Sequence, residues 1–215
     1  MWDKKYAEDR QRAGVLLDLL GYLPADRVEA DLRGALKYRD PRLKHFAIVS
    51  LLKHNLEVPP KDVAEVATHA EMRNWLYGRL SELGKLSLYP AQYRTQAAFA
   101  ESNMVNWLTF PTELNRVPDE IELMKVVSVD TGLPGGIYDY FVFRFRTRPP
   151  HWAAKKGWMA GWSGPFCRED EPTTKALGET FSRFDGWESK KPEEHLGDTH
   201  ELMKTCREYH AKRGQ

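Results

Sequence analysis

Cysteine is scarce, with Cys167 and Cys206 the only two in 215 residues. Two cysteines without a Cys-x-x-Cys pair supply neither the framework of a disulfide-stapled secreted domain nor a zinc set, and they fit a reducing compartment. Charge of one sign is lacking too. The 32 basic and 31 acidic side chains leave a formal net charge of +1, so no global field draws the chain to nucleic acid or to an anionic membrane; either partner would need a local patch. No apolar run approaches the ~18 residues of a membrane-spanning helix. The charged first dozen residues lack the apolar core and small-residue cleavage site of a secretory signal. A soluble, cytoplasmic protein with no membrane partner is expected.

What is present is the composition of an ordinary globular protein, 41% hydrophobic and 29% charged, well outside the regime of disorder. The length suits one large domain or two small ones. In the first part, apolar residues recur at helical spacing. Ala13, Leu16, Leu17 and Leu20 predict one amphipathic helix ending at Gly21. Val28, Leu32, Ala35 and Leu36 predict a second, starting after Pro24 with Asp26 as its cap. Asp40 as N-cap and Pro41 at the first helical position open a third, through Leu43, Phe46, Ala47, Val49 and Leu51. A fourth follows Pro59 and Pro60 with Val63, Val66 and Ala67, and a fifth carries Met72, Trp75, Leu76, Leu80 and Leu83 before Gly84.

Segments 10–21, 42–53 and 73–84 align with one another. Each begins with Arg, holds a small residue near its middle (Gly14, Ala47, Gly78) and carries an aliphatic pair or single leucine at its end, as in Leu19-Leu20, Leu51-Leu52 and Leu83. A period near 30 residues with two helices per unit is the mark of a helical solenoid, in which hairpins share a core by stacking. The stretch from Asp40 to Leu52 resembles the second helix of the short HEAT-like repeats of bacterial proteins, and the resemblance extends over residues 8–85. It implies a rigid helical surface that is presented to a partner; a few relatives bind DNA or carry chemistry.

Beyond Tyr89 and Pro90 aromatics become dense and β-branched alternation appears. One further helix is expected over 93–108, with Ala97, Ala100, Met104 and Trp107 on one side, and Pro111 and Pro118 bracket a loop. Residues 121–129 and 137–147 read as strands joined by a glycine-rich hairpin connection. In the second, Phe141, Phe143 and Phe145 share one face, while Tyr140, Val142, Arg144 and Arg146 share a face expected to be partly wet. A third strand is expected over 157–166. Residues 167–192 read as an irregular connection pinned by Phe181, Phe184 and Trp187. A final helix carries Leu196, Leu202, Met203, Cys206 and Tyr209. The string from Phe141 to Thr147, followed by His151, Trp152 and 157–161, is similar to the C-terminal part of bacterial HEAT-repeat proteins that have no function to carry over. The expected fold class is therefore α+β, with N-terminal HEAT-like helical hairpins packed on a small antiparallel sheet with a C-terminal helix. The expected division is 1–88 and 89–215, the sheet at about 119–166 and the last helix at about 193–212.

No catalytic constellation emerges. His200-Glu201 lacks the second histidine of His-Glu-x-x-His, since Lys204 stands there. His195, His200 and Cys206 do not share a helical face. Ser163 lacks the glycine two residues on that a nucleophile elbow requires, because Pro165 is there. The glycines at 132, 135 and 136 lack the Gly-Lys-Ser/Thr ending of a phosphate loop. No cofactor or metal site is expected. An enzyme would have to draw on groups such as Asp139, His151 and Cys167. The first expectation is a non-enzymatic scaffold that binds a protein partner. The second is nucleic-acid binding through two basic runs, 37–54 and 144–156, the latter interleaved with aromatics that can stack on bases. The partner-binding candidates are Arg42, Lys44, Arg144, Arg146, Arg148, His151 and Trp152.

Overall fold

A computed structural model describes residues 4–130, 136–147, 157–170 and 180–199, together with residues 201, 205, 208 and 212. The fold is α+β, with helices in the N-terminal part and a small antiparallel sheet. The chain divides into two compact units, Met1–Arg94 and Thr95–Gln215.

The first unit holds five helices of alternating length: α1 (Lys4–Leu20), α2 (Ala25–Ala35), α3 (Pro41–Lys53), α4 (Pro60–Thr68) and α5 (Ala70–Glu82). α3 is the hub and packs against the other four. Asp40 starts it, its carboxylate accepting from the backbone N–H groups of Arg42 (2.9 Å) and Leu43 (3.2 Å), with Pro41 behind it at the first helical position. The expected cap at Asp26 is corrected: α2 begins directly after Pro24 with no side-chain cap, and Asp26 lies inside the first turn, where a carboxylate still favours the positive end of the helix.

The inward face of α1 also differs from expectation. Gly14, Leu17 and Gly21 are buried, while Leu16 is 62% exposed. The cause is close packing on α3: a Cβ built on Gly14 would lie 2.7 Å from the Phe46 ring, and Ser50 Oγ donates to the Leu17 carbonyl at 2.7 Å. Ala47 is likewise fully buried, but a Cβ on Gly78 would meet no atom within 4 Å, so that glycine serves no helix contact. After α5, residues 86–94 run through two 3-10 turns and fold back onto the unit. Tyr89 packs edge-on against Tyr77, and the Arg73 guanidinium lies 4.6 Å from the Tyr93 ring centre.

The second unit opens with α6 (Gln96–Leu108), capped by the Thr95 hydroxyl and preceded by a 3-10 turn where the sequence suggested continuous helix. Four strands follow, β1 (Glu120–Asp130), β2 (Ile137–Arg146), β3 (Met159–Cys167) and β4 (Thr180–Gly186), antiparallel and in sheet order β1-β2-β3-β4. β4 corrects the reading of 167–192 as irregular. α6 packs on β2, β3 and β4. A separate apolar cluster joins Val127, Val129, Tyr140, Val142, Ala160 and Trp162 to Trp187 and Leu196. The expected wet face of β2 therefore shrinks to its end, because Tyr140 and Val142 are buried and only Arg144 and Arg146 remain partly accessible. β1 is an edge strand, interrupted by a bulge between Leu123 and Lys125, a device that discourages further strand pairing. Of the final helix, Asp198, Thr199, Glu201, Thr205, Glu208 and Lys212 are helical. Leu202, Met203, Cys206 and Tyr209 lie outside the described residues, as does the connection 131–135.

Candidate functional site

The basic residues singled out in the sequence fall into different surroundings. On the sheet, antiparallel register sets Arg144 opposite Glu122 and Arg146 opposite Glu120. Arg144 donates from Nε (2.9 Å) and Nη2 (2.6 Å) to Glu122 Oε2, and Arg146 Nη2 donates to Glu120 Oε2 at 2.5 Å. Both guanidinium groups also lie against the Trp158 ring, 4.3 and 4.4 Å from its centre. The result is a cross-strand lattice in which each cation already faces a carboxylate and an aromatic ring. Arg148, His151 and Trp152 lie outside the described residues.

In the helical unit, Lys44 is 5% exposed and its ammonium reaches Glu65 on α4 at 2.6 Å. Arg42, the second residue of α3, lies over the Trp75 ring at 5.2 Å. Trp75 is the anomaly of α5: it belongs to the apolar set of that helix, yet it is 47% exposed. Beside it is a groove of about 300 Å³ walled by α1, α3 and α5 through Asp18, His45, Phe46, Trp75, Gly78 and Arg79, with Asn74 and Glu82 completing it.

Three features distinguish this groove from a packing defect. First, His45 is 2% exposed and its Nδ1 has no hydrogen-bond partner, although buried polar atoms are nearly always satisfied. Burial, aided by Arg79 and Arg42 and opposed by Asp18, pushes its pKa down to about 4, so near neutral pH it is an uncharged imidazole. Second, Gly78 sits mid-helix, where glycine costs about 1 kcal/mol relative to alanine, and its open Cβ direction lies at the groove. Third, the rim charges are held by one another. Lys53 reaches Asp18 at 2.9 Å, and Arg79 reaches Glu82 at 2.7 Å and Asp18 at 3.9 Å. An apolar ring, an unsatisfied neutral imidazole and a fixed charged rim suit a side chain that inserts and hydrogen-bonds.

Of the groups an enzyme would draw on, Asp139 on β2 and Cys167 on β3 are among the described residues. Asp139 is engaged by Ser128 Oγ at 2.7 Å and by Arg168 Nε at 2.9 Å. Cys167 is buried and in no disulfide, and His151 lies outside the described residues. His195 is buried with its ring stacked on Trp187 and Nε2 3.1 Å from the Trp187 carbonyl. Among the described residues no group of three or more His, Cys, Asp or Glu could hold a metal ion. Of the site, Arg42 was visible in the sequence as a basic residue; His45, Trp75 and Gly78 were not marked as site residues. The available signal was the glycine interrupting α5 three residues after a tryptophan. No family model, no curated protein and no solved structure matches the chain.

Proposed function

We propose that the chain is a non-enzymatic interaction module whose HEAT-like helical unit binds a protein partner in the α1/α3/α5 groove. The observation that carries this reading is Trp75, half exposed and braced by Arg42, standing beside a groove that contains an unsatisfied His45 imidazole. Aromatic anchors next to a pocket with a few fixed polar groups are the usual centres of protein interfaces. The repeat reading draws support from a recurring device: Arg10, Arg42 and Arg73, at equivalent places in the three aligned segments, lie over Tyr6, Trp75 and Tyr93. A cytoplasmic location belongs to the same proposal and rests on the low cysteine content; among the described residues no helix is long and apolar enough to cross a membrane.

Nucleic-acid binding is supported less well, since Lys44, Lys53, Arg144 and Arg146 are already neutralised by carboxylates. The test compares immobilised full chain with Trp75→Ala and Gly78→Leu, the latter filling the groove from a good helix former. Proteins retained from a lysate of the source cells by the parent should be lost from both variants. Equal retention on all three, or retention of nucleic acid alone, overturns the reading.

A further inference from the structure

Among the described residues of the helical unit, the partly or fully buried arginines are matched by an acceptor with one exception. Arg10 meets Asp40 at 3.6 Å, Arg79 meets Glu82 at 2.7 Å, and Arg73 donates from Nε to the Ala67 carbonyl at 3.0 Å. Arg42 is partly buried as well, yet its guanidinium has no ion pair and no hydrogen-bond acceptor among the described residues; it rests on the Trp75 ring. Two carboxylates attract it without pairing. Asp40 spends Oδ1 on the backbone N–H groups of Arg42 and Leu43 and Oδ2 on Tyr6 and Arg10. Glu71, one turn before Trp75 on α5, acts from beyond ion-pair distance. Burial and the Arg10 cation outweigh both and lower the pKa of Arg42 from its ordinary value, whereas withdrawn charges are ordinarily paired. We infer that Arg42 receives a carboxylate of the protein partner, an aspartate or glutamate side chain whose apolar neighbour enters the groove beside Trp75, a step that rests on the partner-binding reading above.

The placement of Arg42 ties it to the groove. Arg42, His45 and Phe46 are three and four residues apart and share one face of α3, and His45, Phe46 and Trp75 all line the groove. The unpaired cation thus stands one helical turn from the cavity. That step of about 5–6 Å is covered by one or two residues of extended chain. The field over the groove floor has the matching sign. At His45 the cations Arg79 and Arg42 each act more strongly than the opposing Asp18 carboxylate, and Glu82 is held by Arg79. An anion is favoured there although the chain as a whole is nearly neutral. A guanidinium carried on an aromatic ring keeps N–H donors along its edge, and two of these match a carboxylate. A carboxylate held between Arg42 and His45 also supplies the acceptor that the buried His45 Nδ1 lacks, in the tautomer protonated on that nitrogen. One unpaired arginine matches the single charge of a carboxylate rather than the double charge of a phosphate, which is taken by clusters of arginines.

The experiment titrates the full chain with 3-phenylpropionate and with 3-phenylpropanamide, a probe of the same shape without the charge, and follows proton–nitrogen NMR signals. Both probes should shift the Trp75 indole and the Gly78 amide, and the acid should bind about tenfold tighter or more. Arg42→Gln leaves the backbone cap of α3 in place. It should bring the acid to the level of the amide and leave the amide within about twofold of its parent affinity. Glu71→Gln removes the competing carboxylate and should tighten the acid by about twofold. Equal affinity for acid and amide in the parent overturns the inference, as does an acid that leaves the Trp75 and Gly78 signals unmoved. So does an acid that binds as tightly to Arg42→Gln, with its spectrum otherwise intact, as to the parent. A partner protein that is lost from Trp75→Ala but still retained by Arg42→Gln overturns the carboxylate receptor alone and leaves the groove as the binding site.

Discussion

His45 enters the helical core as a neutral imidazole, and that choice couples stability to acid. Its folded pKa is lowered from 6.5 to about 4, with burial the main cause and Arg79 and Arg42 adding to it. The unfolded chain therefore accepts a proton on this side chain near pH 6.5, while the folded chain resists until the lower value. The contribution is fully present above the unfolded pKa and is lost as the pH falls towards about 4, with an upper bound of about 3 kcal/mol. His45→Leu has no proton to gain, so urea midpoints measured between about pH 7 and pH 4.5 should decline less in the variant than in the parent. Superimposable declines would assign the acid sensitivity elsewhere. Two glycines make an opposed pair at the same scale. Gly14→Ala places a methyl 2.7 Å from Phe46 and should cost about 1–3 kcal/mol through overpacking, more than the helix propensity it gains. Gly78→Ala meets nothing within 4 Å and should stabilise by about 1 kcal/mol. Thermal unfolding of the two variants should move in opposite directions, and the same direction for both would contradict the packing described for α1 and α3.

Asp40 ties α1 to α3, because its carboxylate caps α3, accepts from the Tyr6 hydroxyl at 2.8 Å and faces Arg10 at 3.6 Å. Asp40→Ala should cost about 1–2 kcal/mol, the range of a lost N-cap. Asp40→Asn keeps a capping oxygen and should cost less, and denaturant midpoints that rank the two variants the other way would make the contacts to α1 the dominant part. This element was plain in the sequence, as were the apolar faces of α2 and α4, because a cap, a proline and a clean helical period agreed there. α1 was misread for a physical reason. Its contact with α3 runs through Gly14 and Gly21, which add nothing to a hydrophobic pattern, so Leu16 drew the face towards itself and in fact lies outside. β4 was missed because Ser182, Asp185 and Gly186 dilute its β-branched and aromatic signal. Its strand state comes from pairing with β3, a long-range cause invisible to local periodicity.

For the molecule as a whole, the basic runs in the sequence were no guide to a patch, since Lys44, Lys53, Arg144 and Arg146 each face a carboxylate. Alternation along β2 showed that Arg144 and Arg146 share a face, but not that β1 would set Glu122 and Glu120 opposite them, since register is decided by the partner strand. The groove was illegible for the same kind of reason: His45, Trp75 and Asp18 are separated in sequence and meet only when α1, α3 and α5 pack. Paired cations release few counterions to a phosphate backbone, so affinity for duplex DNA or for RNA should be weak and only shallowly dependent on salt. Electrophoretic mobility shifts in low salt should show no discrete complex for the parent. Arg144→Ala with Arg146→Ala should not alter that result, and should instead lower the unfolding temperature, because Glu120 and Glu122 lose their partners and Trp158 loses both cations. A discrete complex in the parent that weakens steeply with salt and disappears in the double variant would show that these arginines exchange their glutamates for phosphate, and would reverse the ranking of the two proposed ligand classes.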